Sequence, residues 1–162
     1  MRNLFLLLAL SYSLIFTTES PAGDREDVIA NIEQSWKDFA LKNPAIDTGH
    51  SDGSWVATSE GGFWQFLSAE EFKAMIIDSA NIFDFKPHHI NVRFVGAKQD
   101  VAYAVYYLAG NILDSDRNVV VKNYRTRASE VMVKQNGKWA SIGSHYSPLY
   151  GGSGVVSIDV EG

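Results

Sequence analysis

One carboxylate in this sequence stands where it could move a proton. Tyr124, Thr126, Ala128, Glu130 and Met132 alternate with Arg125, Arg127, Ser129, Val131 and Val133. Alternation along a strand sends these two sets to opposite faces. Turned inward, Glu130 is a semi-buried carboxylate, and burial raises its pKa toward general acid or base use. Turned outward, it pairs with Arg127 or Lys134 on a neighbouring strand and is structural. Ala128 leaves room for a ligand beside it. Tyr124 and Thr126 can donate hydrogen bonds along the same face, and Tyr106 is the candidate donor to set against Glu130. His145, close to Ser144 and Ser147, is the second candidate for proton transfer. Its alternative role is a hydrogen-bonded structural histidine, since nothing near it in sequence supplies an orienting carboxylate. Arg125 and Arg127 either clamp a carboxylate or form a solvated face.

A second group is aromatic. Trp36, Trp55, Trp64, Tyr106 and Tyr124 are the candidate lining of a pocket for an apolar or ring-shaped ligand. Aromatics at helical or strand spacing also simply fill cores, so both readings stand. His88 and His89 are adjacent in an expected strand, which points their rings to opposite faces and prevents chelation of one metal. No phosphate loop, Gly-x-Ser-x-Gly elbow, dinucleotide fingerprint or metal motif is present, so neither cofactor nor metal is expected. The absence of Cys excludes disulfides, thiolate metal sites, a Cys nucleophile and a lipid-modified Cys. A net charge of −5 argues against nucleic acid as a partner. Apolar residues at 46% and charged residues at 20% are a globular balance, in one domain at this length.

The elements that must position these residues begin after an address. Arg2 precedes a 13-residue apolar run from Leu4 to Phe16, too short for the roughly 20 residues that span a bilayer. Ser20 and Ala22 are small residues at signal-peptidase spacing. The expectation is a signal peptide over 1–22, a domain over 23–149 and a flexible tail over 150–162. It implies a secreted or periplasmic protein with no stable membrane span after cleavage; an uncleaved anchor is the alternative.

Asp24 is placed as the cap of a first helix, whose face carries Val28, Ile29, Ile32, Trp36 and Phe39 and which ends at Asn43-Pro44. Ser54 to Thr58 and Gly62 to Leu67 read as short strands. Ser68 and Glu71 form a capping box for a second helix, expected to run to about Phe85 before Pro87. The remainder reads as β, with a hairpin at Asn136-Gly137. Val101 to Leu108 is apolar or aromatic on both faces, so both are expected to be covered, one of them by a partner subunit or by the tail.

Helix, short strands, helix and a run of long antiparallel strands is an α+β order. Lys86-Pro87-His88-His89-Ile90-Asn91-Val92, Asp100 to Tyr106, Tyr124 to Val131, Asn136-Gly137-Lys138-Trp139 and Ser144 to Ser147 resemble the nuclear-transport-factor-2-like (SnoaL-like) superfamily. The nearest type is the association domain of calcium/calmodulin-dependent protein kinase II. The resemblance implies a cone-shaped, curved antiparallel sheet wrapped around a long N-terminal helix, a cystatin-like α+β barrel with a built-in cavity. In the kinase hub, arginines on the last strands serve the ligand pocket; the matching positions here are Leu108 and Glu130. Three functions remain open. The first is an exported domain, at least dimeric, that binds a small apolar or amphipathic molecule. The second is a cofactor-free isomerase, cyclase or dehydratase using Glu130 or His145. The third is an oligomerisation scaffold.

Overall fold

The computed structural model describes residues 22–149 except 45 and 60. The expected signal segment, apart from its last residue, and the expected tail lie outside these residues. The elements are α1 (Ala22–Leu41), β1 (Ser54–Ala57), β2 (Gln65–Leu67), α2 (Ala69–Asp78), β3 (Ile82–Val95), β4 (Val101–Leu113), β5 (Val119–Gln135) and β6 (Lys138–Pro148). They form an α+β fold with one six-stranded sheet in the order β2-β1-β6-β5-β4-β3. The sheet is curved and stays open between its edge strands β2 and β3. Its pairings are antiparallel except one: β1 runs parallel to β6, with Val56 opposite Ser144.

α1 buries Val28, Ile32 and Trp36, spaced one helical turn apart, against the inner face of the sheet. Polar ties fix its position. Arg25 Nη1 donates to the Val92 carbonyl at 2.7 Å, and Asn31 Nδ2 donates to the Trp139 carbonyl at 2.8 Å. Asp24 is not the cap expected of it. The helix begins at Ala22, and the buried Asp24 carboxylate receives Lys134 Nζ at 2.5 Å. The chain leaves the helix at Lys42, just before Asn43-Pro44.

α2 opens on the expected capping box. Ser68 Oγ accepts from the Glu71 amide at 3.2 Å, and the Glu71 carboxylate accepts from the Ser68 amide at 2.9 Å. It ends at Asp78, however, seven residues before Phe85. Ile82, Phe83 and Phe85 fit helical spacing, but they also fit a strand whose ladder to β4 runs the length of the segment. That ladder decides the outcome. Pro87 sits inside β3, where an edge strand tolerates its missing N–H. His89 has φ of 54° at a break in the β3–β4 register. The regular alternation assumed for His88 and His89 fails there, and both side chains are exposed.

β4 is divided cleanly by face. Ala102, Ala104, Tyr106 and Leu108 are buried, while Tyr103, Val105 and Tyr107 are 44%, 39% and 47% exposed. Among the described residues, nothing covers that outer face.

Candidate functional site

Strand alternation settles which way β5 faces. Tyr124, Thr126, Ala128, Glu130 and Met132 are all buried on the inner side, and Arg125 and Arg127 are exposed on the outer. The arginines therefore cannot clamp anything inside the cone. Two successive inward-facing rungs build the polar centre. One rung carries Tyr106, Ala128 and Tyr146 on β4, β5 and β6; the next carries Ala104, Glu130 and Ser144. The small Ala128 leaves space for the two flanking tyrosines to lean onto Glu130 of the next rung.

Tyr106 Oη donates to Glu130 Oε1 and accepts from Trp36 Nε1 of α1 at 3.0 Å. Tyr146 and Ser141 also hydrogen-bond to the carboxyl group. Burial pushes the Glu130 pKa above the ordinary carboxylate value, and the hydrogen bonds from Tyr106, Tyr146 and Ser141 offset only part of that rise. Burial, reinforced by the nearby Glu130 charge, raises both Tyr106 and Tyr146 above the usual phenol range. The tyrosines therefore act as hydroxyl groups, not phenolates.

Beside this centre lies a cavity of about 420 Å³ between the two helices and the inner sheet face. Trp36 and Phe39 of α1, Phe72 and Ile76 of α2, and Phe83, Phe85 and Tyr124 of the sheet supply most of its apolar wall. Phe85 and Tyr124 stack at 4.7 Å, and Phe39 meets Phe72 edge-on at 5.6 Å. Ser59 touches the Tyr124 hydroxyl. Glu130 does not line this cavity. It opens instead on a separate cleft of about 40 Å³, shared with Asn31, Ser35, Thr48 and Ser141. That volume accommodates a water or two. Phe39, Phe72, Ser144 and Tyr146 belong to both spaces and form the partition.

The candidate residues therefore separate. Trp36 and Tyr124 line the cavity, Tyr106 stands behind Trp36, and Glu130 meets Tyr106. Trp55 and Trp64 do not join them: they are 50% and 54% exposed. They flank a groove with Val131 and His145, where Trp64 packs on His145 at 5.7 Å. His145 is exposed there, across the sheet from Glu130, so the two cannot share one proton-transfer site.

The reason is one residue. Gln135 pairs with Lys138 at the hairpin, and a regular ladder from there would set His145 opposite Ala128, facing inward. The register shifts between Val131 and Met132, leaving Ile142 as an extra residue on β6. Beyond the bulge Tyr146 faces inward and His145 outward, while Ser141 before it joins the inner row. Tyr146, Ser141 and Ser144 are the polar residues that sequence reasoning missed as site members. The Asn136-Gly137 turn would have located their strand, but not the bulge. Phe83 and Phe85 were hidden by their assignment to α2.

No protein-family model matches the sequence, and no curated protein matches it. Solved structures do resemble it. An uncharacterized Caulobacter vibrioides protein with a cystatin-like fold matches with a TM-score of 0.61 at 16% identity, over 77% of this chain and 89% of that one. The association domain of C. elegans CaMKII matches with a TM-score of 0.58 at 17% identity, over 77% of this chain and 95% of that one. An NTF2-like protein of unknown function from Pseudomonas putida KT2440 matches with a TM-score of 0.58 at 16% identity, over 77% and 86%. The chain thus has a cystatin-like α+β fold. Within that fold class, the similarity to NTF2-like and CaMKII-association-type structures agrees with the resemblance drawn from its sequence. Among the described residues, no cluster of His, Asp or Glu is arranged to hold a metal ion, and no helix is long and apolar enough to cross a membrane.

Proposed function

We propose that this domain binds a small apolar or amphipathic molecule in its inner cavity and assembles through its outer sheet face with a second copy of itself. The observation that carries the binding reading is the aromatic-walled cavity of about 420 Å³, within the size range of pockets for drug-sized ligands. Assembly is supported by the exposed Tyr103, Val105 and Tyr107 on β4 and by the likeness to a domain described as an association domain. Export completes the proposal: the mature chain begins at Gly23. Native mass spectrometry of protein purified from its source tests all three parts. The expected result is at least a dimer of chains starting at Gly23, carrying a bound small molecule. A ligand-free preparation that also takes up no apolar probe would refute the binding reading. A monomer would refute assembly, and a chain retaining residues 1–22 would refute cleavage.

A second reading, cofactor-free isomerisation, cyclisation or dehydration, is favoured by one observation. Glu130 is a buried carboxyl with a raised pKa, held by tyrosine hydroxyls. It requires substrate to reach Glu130 past Tyr146. Turnover of an enolisable ketone or hydroxy-acyl compound that is lost in Glu130→Gln would support it.

A further inference from the structure

We propose that the outer face of the sheet carries a second binding site, a groove that takes a short acidic saccharide, with Trp55 and Trp64 packing on sugar rings and Arg127 pairing with a carboxylate. The site lies across the sheet from the inner cavity and does not depend on what that cavity holds. Two clefts of about 270 and 260 Å³ meet on this face and share Ser129 and His145. The strand register accounts for them. Gly143 lies opposite Trp55 on one side and Val131 on the other, Ser129 lies opposite His145, and Arg127 lies opposite Ser147. Small residues thus form a floor along β5 and β6, with Trp55 and Trp64 at one end and Tyr107 and His89 at the other.

Both indoles are half-exposed yet held in place. Trp55 meets Phe66 edge-on at 5.4 Å, and Trp64 leans on His145 at 5.7 Å. Aromatics fixed in this way offer contact area at little entropic cost. A sugar ring gives them an apolar C–H face and keeps its hydroxyls at the edge, where Ser129, Ser147 and His145 supply donors and acceptors.

Charge sets the sign of the ligand. The chain carries −5 overall, yet no described residue lining either cleft is Asp or Glu, while Arg127, His89 and His145 all line them. Arg127 Nη2 donates to the Pro148 carbonyl at 3.3 Å, and the guanidinium keeps further N–H groups for a carboxylate. Strand spacing and rise put Arg127 roughly 16 Å from Trp55, room for a few linked rings. An acidic peptide would match the charge alone. Val105 and Tyr107 also belong to the patch proposed for assembly, but Trp55 on β1 stands three strands away from β4.

Trigalacturonate, its methyl ester and tetraglutamate test this on the intact protein. Binding is read at pH 7.5 and low salt by calorimetry and Trp fluorescence, with light scattering giving the oligomeric state in the same buffer. Trigalacturonate should bind once per chain. The ester should be weaker by about five-fold or more and tetraglutamate by about ten-fold or more. Trp64→Ala should weaken acid and ester alike by about ten-fold, whereas Arg127→Gln should remove the difference between them. A Cβ at Gly143 comes only to 3.7 Å from the Trp55 carbonyl oxygen, an ordinary contact, so Gly143→Val should fill the floor and block both saccharides with the indoles still present. Thermal unfolding curves confirm that each variant is folded, and the wild-type ranking stands without them. An ester equal to the acid, or tetraglutamate equal to trigalacturonate, would overturn the assignment. Failure of trigalacturonate to bind would overturn it outright, and Trp emission that acrylamide then fails to quench would give the groove to the second copy. None of these outcomes bears on binding in the inner cavity.

Discussion

Tyr106 and Glu130 sit on successive inward-facing rungs of neighbouring strands, and the tyrosine hydroxyl donates directly to the buried carboxylate oxygen. The same hydroxyl accepts the Trp36 indole N–H at 3.0 Å, so one phenol joins α1 to the sheet. Tyr106→Phe removes a donor and an acceptor together and leaves both partners buried. It should destabilise the fold by about 2–4 kcal/mol, from one charge-assisted and one neutral hydrogen bond. Urea unfolding monitored by Trp fluorescence measures this. A cost below about 0.5 kcal/mol would show that Glu130 and Trp36 find other partners.

Glu130 predicts a pH signature with a definite sign. Its folded pKa lies above the reference value of 4.5 because of burial. Between those two values the native state binds more protons than the unfolded chain, so stability falls as pH rises through the window and levels off above it. Glu130→Gln removes this dependence. The stability of the variant minus that of the wild type should therefore increase with pH from about 4.5 upward and then become flat. Denaturation at a series of pH values gives the difference directly, with other titrating groups cancelling. A difference that decreases with pH would mean that the hydrogen bonds outweigh burial.

Gly110 is required by a close backbone approach. It pairs with Phe85 on one side and Tyr124 on the other, and a Cβ there would come 2.0 Å from the Asp84 carbonyl oxygen. Gly110→Ala must push β3 away from β4 and disturb the Phe85–Tyr124 stack in the cavity wall. A loss of about 1–3 kcal/mol is expected, together with weaker binding of any cavity probe. Unchanged thermal stability would contradict the close approach.

The outer face predicts a mutable assembly. Val105 lies between Tyr103 and Tyr107 on the exposed side of β4. Val105→Lys places a charge in the middle of the apolar patch and should turn the proposed dimer into a folded monomer, seen by light scattering at micromolar concentration. An unaltered oligomer would put the interface elsewhere. A wild-type monomer would shift attention to the chain beyond Leu149 as the cover.

What was legible in the residues was local or periodic. The Ser68–Glu71 box is a short-range pattern and stands as read. Alternation along β5 correctly grouped Glu130 with Tyr124 and Ala128, because strand parity needs no knowledge of neighbours. The helical face of α1 was visible for the same reason, down to Trp36. The α+β order and the likeness to known sequences implied the fold that the structural comparisons support. Tertiary structure decided the rest. Phe83 and Phe85 satisfied two periodicities, and only the ladder to β4 made them strand and cavity wall. Which face of β5 lay inward depended on where α1 packed. Above all, the extra residue at Ile142 exchanged His145 for Tyr146 at the inner rung beside Glu130. A side-chain period of two makes every strand sensitive to a single bulge, and a bulge is stabilised by contacts across the sheet that no local pattern records.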